Sequence, residues 1–210
     1  MFPEITRDDV FRIESRRLWL RWPVMADAFD APATTQGPQA GPVGAGCRFP
    51  GSACIAAWRT DAERGIALHL VLEEKVPGRP AIGTIHLTCA RDGSLAVDYH
   101  LAPERRGEGL MTEAIQAVVH TAFLLKLAPA ITATPAAADR KGRDVLERCG
   151  FTYGGSGMRP CPTGAGLAAC DHFRLDRRTW LSLQGWGMPG HRTIRRQVTL
   201  PDDPCPATHA

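Results

Sequence analysis

The sequence predicts a mixed α+β domain, and three observations carry that prediction. Between residues 66 and 101, three strand-like runs are joined by short turns, the pattern of an antiparallel meander. From residue 109 onward, long runs with apolar residues at helical spacing alternate with short apolar runs, in the order helix, strand, helix, strand. A strand, a helix and a second strand in succession imply a right-handed crossover between parallel neighbours. At 210 residues, the chain is long enough for one domain with a core and short for two.

Arg16-Arg17-Leu18-Trp19-Leu20-Arg21-Trp22 alternates charged and apolar residues and stops at Pro23, so it reads as a first strand with Leu18 and Leu20 on one face. Asp27-Ala28 is placed to open a short helix. Residues 29–51 are rich in proline and glycine and predict an irregular loop. Ser52 to Arg64 reads as a helix with Ser52 as N-cap, and Ile55, Trp58 and Arg59 on adjacent turns. The meander strands are Ile66 to Leu72, Ala81 to Thr88 and Ser94 to Leu101. Their turns are Pro77-Gly78-Arg79-Pro80 and Arg91-Asp92-Gly93, with Gly93 free to take positive φ. A helix over 109–127 presents Leu110, Ala114, Val118, Ala122 and Leu125 at helical spacing, and Pro129 ends it. Ala130 to Thr134 is a short buried strand closed by Pro135. Ala136 to Cys149 reads as a second helix, with Gly150 as its C′ residue. Strands start at Phe151 and at Cys170, and the chain after Gly185 reads as a largely disordered tail.

Composition narrows the function. Twenty-five basic and 22 acidic residues leave a net charge of +3, too mild for a nucleic-acid or membrane partner. No apolar run reaches the roughly 18 residues of a membrane span. The first residues lack the pattern of an export signal, so the expected location is the cytoplasm. Seven cysteines without a C-x-x-C pair are expected to be reduced thiols, with no metal site.

One stretch organises the rest: His100-Leu101-Ala102-Pro103-Glu104-Arg105-Arg106-Gly107-Glu108-Gly109-Leu110-Met111-Thr112-Glu113-Ala114. A strand runs into a glycine turn and then into a helix start. Glycines let the backbone come close, the first helical N–H groups have no partner inside the helix, and the helix dipole favours an anion there. The stretch therefore reads as a phosphate cradle. An ordinary glycine turn is the plain alternative.

The order of elements, with Arg106-Gly107-Glu108-Gly109-Leu110-Met111-Thr112-Glu113-Ala114 at its centre, resembles the GNAT acetyltransferase superfamily, and within it the RimJ/RimL-type branch. Arg106 and Gly109 match the first and fourth places of that superfamily's acetyl-CoA signature, and Met111 stands at the sixth. Arg16 to Arg21, Leu146-Glu147-Arg148-Cys149-Gly150-Phe151 and Phe173 to Trp180 resemble further segments of the branch, over roughly residues 14–181. The resemblance implies a mostly antiparallel sheet with one splayed parallel strand pair and flanking helices. It implies a domain over 1–181, followed by a tail over 182–210. It also implies that acetyl-CoA is the co-substrate and that an amine is the acceptor, at a protein N-terminus or on a small molecule, in a monomer or homodimer. A dinucleotide-binding Rossmann domain fits poorly, because no third glycine follows at the fingerprint spacing.

The resemblance assigns the pyrophosphate to N–H groups from Arg106, Gly107, Glu108, Gly109, Leu110 and Met111. It assigns the pantetheine to main chain near Tyr99 and Leu101. The acceptor amine would attack the thioester directly, so the protein must orient the reactants and accept a proton. His100 is a candidate base, and Asp98 shares its strand face; a solvent-facing pair on a half-exposed sheet is the competing reading. Tyr153 is a candidate to protonate the leaving thiolate, with packing as its other role. Asp171 and His172 are candidates for the acceptor site. Arg105 either reaches the 3′-phosphate or is solvated. Two places depart from the branch: Asp139 and Gly142 stand where Asn and Ser are usual before the second helix. Asp139 can cap that helix but cannot donate as Asn does. A module that binds acetyl-CoA without turnover is therefore the alternative function.

Overall fold

The computed structural model describes residues 12–27, 52–78, 81–160 and 166–185. The expected loop over 29–51 and the tail beyond Gly185 lie outside these residues. Strands β1 (Arg12–Glu14) and β2 (Leu18–Arg21) come first, then helix α1 (Ser52–Glu63). The meander follows as β3 (Ala67–Glu74), β4 (Ala81–Cys89) and β5 (Leu95–Leu101). The second half is α2 (Leu110–Leu124), β6 (Ala130–Ala133), α3 (Arg140–Arg148), β7 (Thr152–Pro160), β8 (Leu167–Asp176) and α4 (Arg177–Gly185).

The strands form one sheet in the order β1-β2-β3-β4-β5-β6-β8-β7. Every neighbouring pair is antiparallel except β5 and β6, which are parallel. The expected class, a mostly antiparallel sheet with one parallel pair, is the observed one. All of β3 is buried, so the sheet is covered on both sides there. Leu68, Leu70 and Leu72 face one layer, and His69, Val71 and Glu73 the other. On the second side α1 lays Trp58 on His69, with ring centroids 4.9 Å apart. On the first side lie α2 and α3. The hydroxyl of Tyr99 donates to the carbonyl of Gly142 at 3.0 Å, and the Cys149 thiol donates to the carbonyl of Thr112 at 3.6 Å. Phe123, Ile115 and Val118 of α2 are buried in this layer, each contributing about 1.5–3 kcal/mol. Helix α4 docks here too, its Trp180 ring 5.4 Å from that of Phe123.

Several elements depart from the expected bounds for local reasons. Strand β1 is too short to show an alternation in the sequence. A 3-10 turn, Met25–Asp27, precedes the short helix expected to open at Asp27-Ala28, which lies outside the described residues. The Asp27 carboxylate accepts from the Val24 N–H at 2.8 Å and from Arg21 at 2.7 Å. Helix α2 stops three residues before Leu127. Lys126 turns to φ 53°, and the N–H groups of Lys126 and Leu127 return to the carbonyls of Phe123 and Ala122. This is a Schellman closure with lysine in the glycine position. Helix α3 starts at Arg140 rather than Ala136. Ala136 bridges to Cys170, and the Ala137 N–H donates to the Ala169 carbonyl, so Ala136 is held against β8 and Ala137 and Ala138 form a turn despite the helix propensity of the run.

Candidate active site

The turn between β5 and α2 takes its shape from two left-handed glycines, Gly107 at φ 89° and Gly109 at φ 74°. Gly109 is the N-cap of α2 and offers no side chain to its N–H groups. The Glu113 N–H is the first to bond back, to the Gly109 carbonyl at 3.1 Å. The N–H groups of Leu110, Met111 and Thr112 therefore point out of the helix start. The Leu110 and Met111 side chains are buried, so what this turn presents is main chain. Arg106 Nε donates to the Leu101 carbonyl at 3.0 Å and ties the turn to the end of β5. The Arg105 guanidinium pairs with the buried carboxylate of Glu74, with Glu108 at 3.7 Å, while its side chain stays partly exposed.

A second anchor was invisible in the sequence. The Glu113 carboxylate accepts from Ser15 Oγ, Arg17 N–H and Arg17 Nε, each at 2.7 Å. Arg17 Nη1 donates to the Glu108 carbonyl at 3.0 Å. The connection between β1 and β2 thus clamps both sides of the glycine turn. Burial alone would raise the Glu113 pKa, but the Arg17 and Ser15 bonds outweigh it and hold the carboxyl below its ordinary value. Nothing local links residues 96 positions apart, so sequence reasoning had no signal for this contact.

Beside the turn the sheet opens. Strand β4 pairs with β5 along its whole length, from Cys89↔Leu95 to Gly83↔Leu101. Strand β6 pairs with β5 only at Leu95↔Ile131 and Ala96↔Thr132. From Val97 onward the β6 side of β5 has no strand partner among the described residues. The Ala102 N–H donates to the Ile82 carbonyl at 2.8 Å, so by alternation even-numbered main chain faces β4 and odd-numbered main chain faces the gap. The groups at Val97, Tyr99 and Leu101 therefore line it. The Tyr99 ring lies on the α3 side, and burial foremost raises its pKa, so the phenol stays a neutral donor to Gly142.

Asp98 and His100 project to the opposite side of the sheet, next to His86 and Thr84 on β4. The structure thus brings these two predicted residues together at the rim of the gap. Crowding by the chain raises the Asp98 carboxyl pKa, against the bond it accepts from the Tyr99 N–H at 2.9 Å. Among the described residues the buried Thr84 hydroxyl has no hydrogen-bond partner. Gly83 is required by close approach, since a Cβ there would stand 2.3 Å from the His100 carbonyl oxygen.

Tyr153 is not with them. It sits on the edge strand β7, separated from β5 by β6 and β8, and its hydroxyl bonds Ser156 at 2.7 Å. Ser156 donates to Asp171 at 2.6 Å, and Arg143 pairs with that carboxylate at 3.1 Å. Asp171 is buried within this cluster, whereas His172 is exposed. Asp139 caps α3, accepting from the Gly142 N–H at 2.9 Å. A Cβ on Gly142 would lie 2.4 Å from an Asp139 carboxylate oxygen, so the two departures from the branch pattern fit each other.

An open helix N-terminus, glycines that admit a close approach and a strand edge that β6 leaves uncovered suit an extended molecule carrying phosphates. Solved structures with this fold include the ribosomal-protein-S5-alanine acetyltransferase from Vibrio fischeri, at 17% identity over 81% of this chain and 98% of that one, TM-score 0.64. RimJ from Mycobacterium smegmatis, in complex with CoA-disulfide, is 18% identical over 83% of this chain and 95% of its own, TM-score 0.63. The microcin C7 self-immunity acetyltransferase MccE, in complex with acetyl-CoA and AMP, is 14% identical over 77% and 93%, TM-score 0.60. No curated protein matches the sequence. The family model for the acetyltransferase (GNAT) domain matches residues 17–152, well over half of the chain, and the protein belongs to the GNAT acetyltransferase family.

Proposed function

We propose that the protein is an N-acetyltransferase that moves an acetyl group from acetyl-CoA to a primary amine, at a protein N-terminus or on a small molecule, by direct attack. The observation that carries this reading is the parting of β5 from β6 after Ala96 and Thr132, next to an α2 start without a side-chain cap. The N–H groups from Gly107 to Met111 would hold the pyrophosphate, with Arg106 bracing the turn. Main chain at Tyr99 and Leu101 would hold the pantetheine in the gap. Asp139 supports this wall by fixing the first turn of α3, whose Gly142 carbonyl receives the Tyr99 hydroxyl. The amine would approach on the Asp98 and His100 side, where a proton can be accepted as the new bond forms. The Tyr153 hydroxyl is committed to Ser156, so solvent is the better source of the proton that the thiolate takes up.

The test is release of free CoA from acetyl-CoA in the presence of N-terminal peptides and small amines. Turnover with at least one acceptor is expected. Calorimetric binding of acetyl-CoA without turnover across broad panels would leave the binding-only alternative. Gly109→Trp should abolish binding while the thermal transition persists; unchanged binding would overturn the placement of the cradle.

A further inference from the structure

On the sheet face that carries Asp98 and His100, a second polar group lies under α1. The register places His69 of β3 opposite His86 of β4, and His86 opposite Asp98 of β5. The two imidazoles meet through Nδ1 and Nδ1 at 2.7 Å. Such a contact needs one N–H and one lone pair. The far nitrogen of His69, Nε2, lies 3.4 Å from the Asp61 carboxylate, within ion-pair range but without hydrogen-bond geometry. A carboxylate favours an N–H at the nitrogen it faces, so His69 carries its proton on Nε2. Its Nδ1 must then accept, and His86 must donate from Nδ1. That leaves the lone pair of His86 on Nε2.

The surroundings hold this order in place. Burial lowers the His69 pKa to about 4. Burial, with His69 and His100 adding to it, lowers that of His86 to about 3. Both rings therefore stay neutral near pH 7, with one N–H each. Trp58 stacks on His69 with an interplanar angle of 8° and meets His86 edge-on at 5.0 Å. His69 is fully buried, whereas His86 is partly exposed. The titratable groups around His86 are His69 from β3, Asp98 and His100 from β5, and Asp61 of α1 behind His69.

We propose that Asp61, His69 and His86 form a tautomer-fixing chain that presents the Nε2 lone pair of His86 to the acceptor amine. The use of that lone pair rests on the acetyl-transfer reading; the proton order does not. As the amine nitrogen bonds to the acetyl carbon, His86 Nε2 accepts a hydrogen bond from its N–H and so orients the nitrogen lone pair, and the proton leaves to solvent. The carbon–sulfur bond breaks with its electron pair on sulfur, and the thiolate is protonated by solvent. Asp61 and His69 are positioning residues. A free imidazole prefers its proton on Nε2, so the chain imposes the opposite tautomer on His86.

Long-range proton–nitrogen NMR of the histidine rings reads this directly on the whole protein without acetyl-CoA. The expected spectrum shows His86 protonated at Nδ1 and His69 at Nε2. In Asp61→Asn the His86 population should move toward Nε2–H. A wild-type His86 protonated at Nε2, or a tautomer indifferent to Asp61→Asn, would overturn the chain. With an acceptor in hand, His86→Phe should lower kcat about 100-fold with the acetyl-CoA KM unchanged. Asp61→Asn should lower kcat less, about tenfold. An unchanged kcat in His86→Phe would reject the use of the lone pair even where the tautomers are as expected. Absence of turnover in the wild type instead overturns the acetyl-transfer reading and leaves the NMR result standing.

Discussion

The two edges of β5 behave differently. Toward β4 it is paired from Leu95 to Leu101; toward β6 it is paired only at Leu95 and Ala96. The same strand is structural along one edge and open along the other. At the open edge the Tyr99 N–H turns to the Asp98 carboxylate and the Leu101 carbonyl to Arg106 Nε, side-chain contacts that a ligand can replace or share. Those at the closed edge fix where Asp98 and His100 stand. The difference teaches that a site can be made by withholding pairing as well as by placing side chains. Substitutions on the closed edge should therefore act on stability, and those around the open edge on binding.

The largest expected effect lies beside the closed edge. His69 and His86 have folded pKa values near 4 and 3, below the ordinary 6.5. The unfolded chain binds more protons than the folded one within that window, so stability is full above about pH 6.5 and falls toward pH 4. Each histidine contributes at most about 1.4 kcal/mol per pH unit. Denaturant titrations at several pH values should show this slope, and His86→Phe should make it shallower. An equal slope in that variant would break the assignment. Next comes Gly83→Ala, which drives a methyl group against the His100 carbonyl and should cost about 2–3 kcal/mol, seen as a lower midpoint of unfolding.

Around the open edge, Arg17→Ala removes the Nε bond to Glu113 and the Nη1 bond to the Glu108 carbonyl, keeps the main-chain bond to Glu113, and should cost about 1–2 kcal/mol. Its sharper signature is a rise of about tenfold in the acetyl-CoA KM with kcat little changed. Arg17→Lys should fall between, because an ammonium lacks the planar fork. A kcat loss without a KM change would show that the clamp does not serve the cradle. The smallest effect belongs to the far end of α2. Lys126→Gly relieves a left-handed lysine and should stabilise by about 0.5–1 kcal/mol without moving either kinetic constant.

The meander, the crossover helix, the glycine turn and the closing hairpin were legible because each is written in local periodicity or in a residue with a special backbone. Leu18 and Leu20 are both buried, as their alternation implied, and Gly93 takes φ 78°. Asp98 and His100 were legible as a pair because a strand places every second residue on one side. Tyr153 was harder: nothing in a strand's own sequence says which neighbour it takes, and β7 lies outside β8 at the sheet edge. The start of α3 went the same way, where contacts with β8 and the Asp139 cap overrode an alanine run.

By itself, then, the sequence determined the α+β class, most of the run of elements from Leu18 to the strand ending at Asp176, and the glycine turn at Gly107 and Gly109. These follow from interactions within a few residues, where φ preference and side-chain spacing act directly. Only the tertiary structure decided that β5 and β6 part after two rungs, that Arg17 reaches Glu113, and that Asp61, His69 and His86 meet under Trp58. Those contacts join segments far apart in the chain. Their geometry depends on how whole layers pack, which no local pattern records.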